Sequence, residues 1–309
     1  MNKIKSISTS AERLLRALSY RLPAVVLCSL LLACTAVLPP LKDQEIVVEG
    51  WIEQGQWPVV ILTTTVPVTT EKQDLDDLEK YLIKWAKVTI SDGEKDYVLY
   101  GTKDDRYFPP YIYTTQKFTG EVGKTYHLKV EYSGKTATAK TTIPAVPQLE
   151  NITIREAGDK DKWNIFADIV DCPQTKDNYK LFIRKEKKDS CFKASMFGIL
   201  DDSTMEGDRM TVQVTDCLNH YLTRYHSWFE STDVVHIRLS NMEDALFDYW
   251  RDYEAVTSLS KNPILPVSMK IRSNVDGALG YWAGYGSSWY KVDFNELLNR
   301  DNDSPDQEI

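Results

Sequence analysis

Most of the signatures that would mark an enzyme are missing from this chain of 309 residues. Its four histidines form no HExxH pair. There is no glycine-rich loop to cradle phosphate, no G-x-S-x-G elbow and no Cys–His nucleophile signature. Cysteine is scarce, at five residues, and its spacing fits no zinc site. No apolar run reaches the roughly 20 residues a membrane-crossing helix needs. Nor is there an excess of positive charge: the formal net charge is −8, which argues against nucleic acid as a partner. These absences put binding and structural roles ahead of catalysis, and no cofactor is expected.

What is present begins with Leu31-Leu32-Ala33-Cys34, an apolar run closed by a small residue and a cysteine. This is the form of a lipobox. Lys3, Lys5, Arg13, Arg16 and Arg21 make a basic start, and residues 24–32 make a short apolar stretch, as in a secretory signal. Cys28 is a poor acylation site because Leu27, not a small residue, precedes it. Cleavage before Cys34 and acylation of its thiol with palmitate-type chains would hold the protein to outer-membrane lipid. Each buried methylene contributes about 0.8 kcal/mol. Residues 1–33 carry a net +4, so the mature chain would stand at −12. Cys172, Cys191 and Cys217 remain in an oxidising compartment, enough for one disulfide and one free thiol, with the pairing left open.

The fold class expected is mainly β. Residues 1–33 read as signal peptide and 34–45 as a lipidated tether containing Pro39-Pro40. Residues 46–145 carry six or seven short β-branched runs bounded by Gly and Pro, the spacing of an immunoglobulin-like sandwich. Residues 126–132 alternate cleanly, predicting one buried and one wet face. Leu75, Leu78, Leu82 and Trp85 sit at helical spacing, for a short helix or a decorated loop. Pro144 to Pro147 mark a boundary. Beyond it, residues 146–298 read as a second β-rich domain with longer loops. Within it Ser240 to Glu243 forms a capping box for a helix over 241–259, whose apolar and aromatic stripe serves either core or partner. Residues 299–309 read as an acidic disordered tail.

Candidate chemistry is thin before residue 260. His127 and His236 lie on separate strands, while His220 and His226 share an aromatic segment but not a metal-binding spacing. The carboxylates of residues 201–208 lack the ligand order of a calcium loop and read as an exposed turn. The C-terminal part is richer. Val267, Met269 and Ile271 alternate with polar residues as a strand would, and 274–277 is turn chemistry. Trp282, Tyr285, Trp289 and Tyr290 supply broad amphipathic surfaces of the kind that contact sugars and peptides. They are the candidate ligand-binding residues; the alternative is a closing hairpin with an aromatic core. No catalytic or metal-ligating residue is assigned.

Taken together, the lipobox, Ile46 to Ile52, Gly120 to Tyr126 and Asn274 to Gly280 resemble, in their order and spacing, a family of Bacteroidota outer-membrane lipoproteins known as domain of unknown function 4249. Ala278 departs from the pattern, where a second glycine is common. The resemblance implies a lipid-anchored, surface-exposed and non-enzymatic accessory of a TonB-dependent receptor, a β-barrel partner. It would bind or guide a nutrient ligand: a small molecule, a glycan or a peptide. The alternatives are a cell-surface adhesion protein that uses its first domain as a spacer, and a surface hydrolase or metal-dependent enzyme.

Overall fold

The computed structural model describes residues 44–66, 79–158, 161–170, 175–205, 207–216, 227–259 and 270–302. The lipobox and its signal, most of the tether, Cys172, Cys217, His220, His226 and residues 303–309 lie outside them, as do Leu75, Leu78, Val267 and Met269.

Residues 45–309 group as one compact unit, and the protein is mainly β. Its centre is an eight-stranded sheet. In spatial order the strands are β12 (Lys193–Asp201), β11 (Asn178–Lys185), β15 (Val234–Asn241), β16 (Leu279–Asp293), β1 (Ile46–Glu53), β2 (Val59–Thr64), β6 (Tyr111–Thr114) and β5 (Tyr100–Lys103). Two four-stranded sheets pack against one face of it. The first runs β4 (Asp96–Val98), β3 (Lys87–Ser91), β7 (Thr125–Tyr132), β8 (Lys135–Thr142). The second contains β13 (Arg209–Val214), β10 (Lys162–Val170) and β14 (Phe229–Glu230), with β9 (Gln148–Glu156) also on β10. The result is two sandwiches side by side whose front sheets are continuous.

β16 makes that continuity. It lies within the expected second domain, yet residues 279–285 pair in parallel with β1 and residues 286–293 pair antiparallel with β15. Among the described residues each half of β16 therefore has a strand on only one edge, and side-chain amides occupy part of the other. Asn274 accepts from Trp282 N at 2.9 Å and donates to Trp282 O at 2.8 Å. Gln54 does the same for Ser287, accepting from its N at 2.8 Å and donating to its O. A primary amide has the donor–acceptor pair of a peptide unit, so it can stand in for a strand neighbour. Gly280 has φ +102°, and a Cβ there would run into the Val48 carbonyl oxygen, so the start of the strand depends on glycine.

Two separate cores follow from strand alternation. The first joins Ile46, Val48 and Ile52 of β1 to Val88, Ile90, Leu128 and Val130 of the opposing sheet, and takes Val275 and Trp282 from the C-terminal segment. The second joins Leu181, Ile183, Ile237 and Leu239 to Ile165, Ile169 and Val212. Between β4 and β5 the chain changes sheet at Leu99.

Helix α1 (Asp244–Leu259) lies on the other face of the eight-stranded sheet, where Leu246, Phe247 and Trp250 pack with Phe182, Tyr281 and Tyr285. The capping box is not what starts it. Ser240 and Asn241 are still in β15, and Ser240 Oγ pairs with Ser287 Oγ at 2.8 Å. The Glu243 carbonyl accepts the first helical bond from Phe247 N at 3.1 Å, while its carboxylate accepts from Thr141 Oγ1 and Thr142 N. The ladder with β16 therefore holds residues 240–241 in extended form, and the expected start at 241 moves to 244. Helix α2 (Phe294–Asn302) begins where β16 ends and runs into the stretch expected as a tail. Of the strand expected around Val267, Met269 and Ile271, the described residues 270–273 belong to no strand. Of the expected helix near Trp85, the described part is a 3-10 turn, Glu79–Tyr81.

Candidate functional site

On the helix-bearing face of the eight-stranded sheet lies a cavity of about 530 Å³. Alternation selects its floor. The odd residues of β1, Glu49, Trp51 and Glu53, point there while the even ones enter the first core. The same parity brings Phe182 and Arg184 from β11, Arg238 from β15, and Tyr281, Tyr285 and Trp289 from β16. Trp250 and Tyr253 of α1 form one wall. The turns 106–108 and 190–193 form others, with Trp57 at the rim, 48% exposed.

A buried ion pair crosses this floor. Arg238 Nη1 pairs with Glu53 Oε1, joining a strand of each expected domain, and both side chains are largely shielded from water. The guanidinium carbon lies 4.1 Å from the Phe182 ring centroid, 5.2 Å from Phe192 and 5.8 Å from Tyr285. Such a cation among ring faces gains from the quadrupole of each ring and is fixed in orientation. The Tyr285 hydroxyl accepts from Trp250 Nε1 at 2.9 Å, tying the wall to the floor.

At the other end Glu49 accepts from the Tyr281 hydroxyl at 3.1 Å. Glu49 is an exposed residue, yet desolvation of its carboxyl pushes the pKa above the ordinary value despite the opposing hydrogen bond. The Tyr281, Tyr249 and Tyr253 hydroxyls are pushed up as well, first by burial and then by the neighbouring carboxylate. This end donates hydrogen bonds through neutral phenols.

The four aromatic candidates of β16 divide by parity. Trp282 is fully buried in the first core and donates from Nε1 to Tyr126 O at 3.1 Å. Tyr290 packs on the second core and accepts from Leu149 N at 2.7 Å. These two are core residues, since their side of the strand faces the sandwich interiors. Tyr285 and Trp289 line the cavity, Trp289 being 45% exposed. Glu49, Glu53, Arg184 and Arg238 were missed. Their signal was a charge inside an otherwise apolar strand, as in Ile-Val-Val-Glu-Gly-Trp-Ile-Glu.

The other candidates do not gather into a site. His236 pairs with Glu186 at 3.0 Å, and His127 lies on the first four-stranded sheet. Asp201 caps Ser203 N, and Asp202 accepts from Asp177 N at 2.6 Å, so these carboxylates order their own turn. Among the described residues no cluster of His, Cys, Asp and Glu is arranged to hold a metal. Cys191 is a free thiol at the cavity wall. Among the described residues no helix is long and apolar enough to cross a membrane.

A family model described as Domain of unknown function (DUF4249) matches residues 35–290. The chain belongs to this family. No curated protein matches it. The match begins before β1 and ends at Tyr290, and so includes every residue that lines the cavity.

Proposed function

We propose that the protein is a lipid-anchored, non-enzymatic outer-membrane lipoprotein, held through Cys34, that captures a small ligand for a TonB-dependent receptor. The observation that carries the binding part is the cavity. Its volume lies in the usual range for small-ligand sites of about 300–1,000 Å³. Its walls are aromatic, and its few polar groups converge from separate strands. The aromatic surfaces suit flat or ring-shaped ligand faces, while the arginines and phenols suit polar edges. The lipobox supports the anchoring, and the receptor partner is what the resemblance of the ordered motifs implies.

Affinity purification of the tagged, acylated chain from solubilised outer membranes tests this. The expected result is a co-purified β-barrel together with a bound small molecule that mass spectrometry detects. A Cys34→Ser chain should leave the membrane fraction. Recovery of the acylated chain with neither barrel nor small molecule would count against the reading.

A further inference from the structure

Two charged side chains around the cavity are left without a charged partner, and one of them points to a ligand class. Glu53 neutralises Arg238. Arg106 is held by Asp104 at 2.6 Å, and Lys193 by Asp189 at 2.6 Å. Glu49, at the other end, accepts from the Tyr281 hydroxyl at 3.1 Å. Arg184 is left. It is half-buried on β11, two positions from Phe182, with Phe192 5.6 Å from its guanidinium carbon. Among the described residues it has no hydrogen bond or ion pair, and its Nε is buried without an acceptor. The Arg238 Nε, on the neighbouring strand, is likewise without an acceptor.

A half-buried guanidinium without an acceptor is costly, and a planar oxyanion is the group whose geometry suits the fork of its terminal nitrogens. A ring beside Arg184 restricts its fork, as Phe192 does here. The surroundings complete the picture: Trp289, Tyr285 and Trp57 give flat apolar surface to a ligand body. We propose that the cavity takes a small-molecule carboxylate with a flat face, its carboxylate on Arg184 and its body against the aromatic walls. One unpaired guanidinium matches one carboxylate, and Glu49 on the same floor opposes a more highly charged phosphate ester. This inference rests on the cavity being the ligand site.

The test uses the acylated full chain in detergent micelles, with empty micelles as reference and tryptophan fluorescence as readout. The probes are 2-naphthoate, its neutral isostere 2-naphthamide, and 2-naphthyl phosphate. The expected result is saturable naphthoate binding at least tenfold tighter than naphthamide. In Arg184→Gln that preference should vanish while naphthamide binding stays unchanged, and Arg184→Lys should restore part of it. Equal affinity for acid and amide, or a preference that survives Arg184→Gln, would overturn the carboxylate assignment and leave the cavity as a ligand site. Tighter binding of the phosphate ester would overturn the choice of carboxylate over phosphate. Binding of none of the three would overturn both this inference and the cavity reading beneath it.

Discussion

The two faces of β16 carry similar residues and do different work. On one face Trp282 and Tyr290 sit in the two cores, with their polar atoms bonded to the Tyr126 carbonyl and the Leu149 amide. On the other, Tyr285 and Trp289 face a cavity that also holds the Glu53–Arg238 pair. Chemistry does not separate the two sets, because each has one indole and one phenol. Parity does. Shifting one residue along a strand exchanges interior for cavity, so an aromatic cluster in a strand is two half-clusters with separate roles.

The comparison breaks hardest at Trp282. Its indole lies over Gly50, where a Cβ would meet the ring at 2.9 Å, and it is fully buried. Trp282→Ala should cost about 3–5 kcal/mol, as large-to-small core changes of aromatic residues do. A denaturant midpoint close to that of the parent chain would show that the first core does not depend on this residue. The next effect belongs to the other face. Arg238→Gln leaves Glu53 buried and unpaired, and removing one partner of such a pair costs about 3–5 kcal/mol. Exchanging both partners for apolar residues, Glu53→Leu with Arg238→Met, should cost clearly less. If the double variant is as unstable as the single one, the pair is stabilising in itself and does more than avoid a lone charge.

Much of the strand content was legible, because β-branched runs bounded by Gly and Pro carry a local signal. Residues 125–132 show it best, with Tyr126, Leu128 and Val130 inward. The long-range order was not legible. Val47 pairs with Leu279 in a parallel ladder, and nothing near either residue names its partner. The cavity was out of reach for the same reason, since its residues come from strands and turns more than 200 positions apart. The helix was found but placed too early, because a capping-box pattern says nothing of the ladder that keeps Ser240 extended. The division of the β16 aromatics was within reach: positions 282 and 290 share a parity, and 285 and 289 share the opposite one.

A smaller effect separates the cavity floor from the cores by pH. The Glu49 carboxyl has a raised pKa in the folded protein. Below its ordinary value of 4.5 it is protonated folded or unfolded and contributes nothing to a pH slope. Above that value the unfolded chain ionises first, so folded stability falls as pH rises through the raised pKa. Glu49→Gln keeps an acceptor for Tyr281 and removes the titration. It should raise the denaturation midpoint at pH 7 and leave it unchanged at pH 4. A gain of equal size at both pH values would mean that ionisation is not the cause.

A partial effect on stability, and the sharpest on the comparison, is expected at Trp289. It sits on the same strand as Trp282, opposite Arg238 in the ladder with β15, and is 45% exposed at the cavity. An indole that is 45% exposed has only about half of its transfer free energy to lose, so Trp289→Ala should cost about 1–2 kcal/mol, clearly less than Trp282→Ala. It should nevertheless weaken naphthoate and naphthamide alike, because it removes a flat wall that both rings would use, whereas Arg184→Gln affects the acid alone. Loss of stability as large as that of Trp282→Ala would place Trp289 with the core set. Unchanged stability with unchanged affinity for both probes would take it out of the binding surface and leave Tyr285 as the one β16 aromatic facing the ligand.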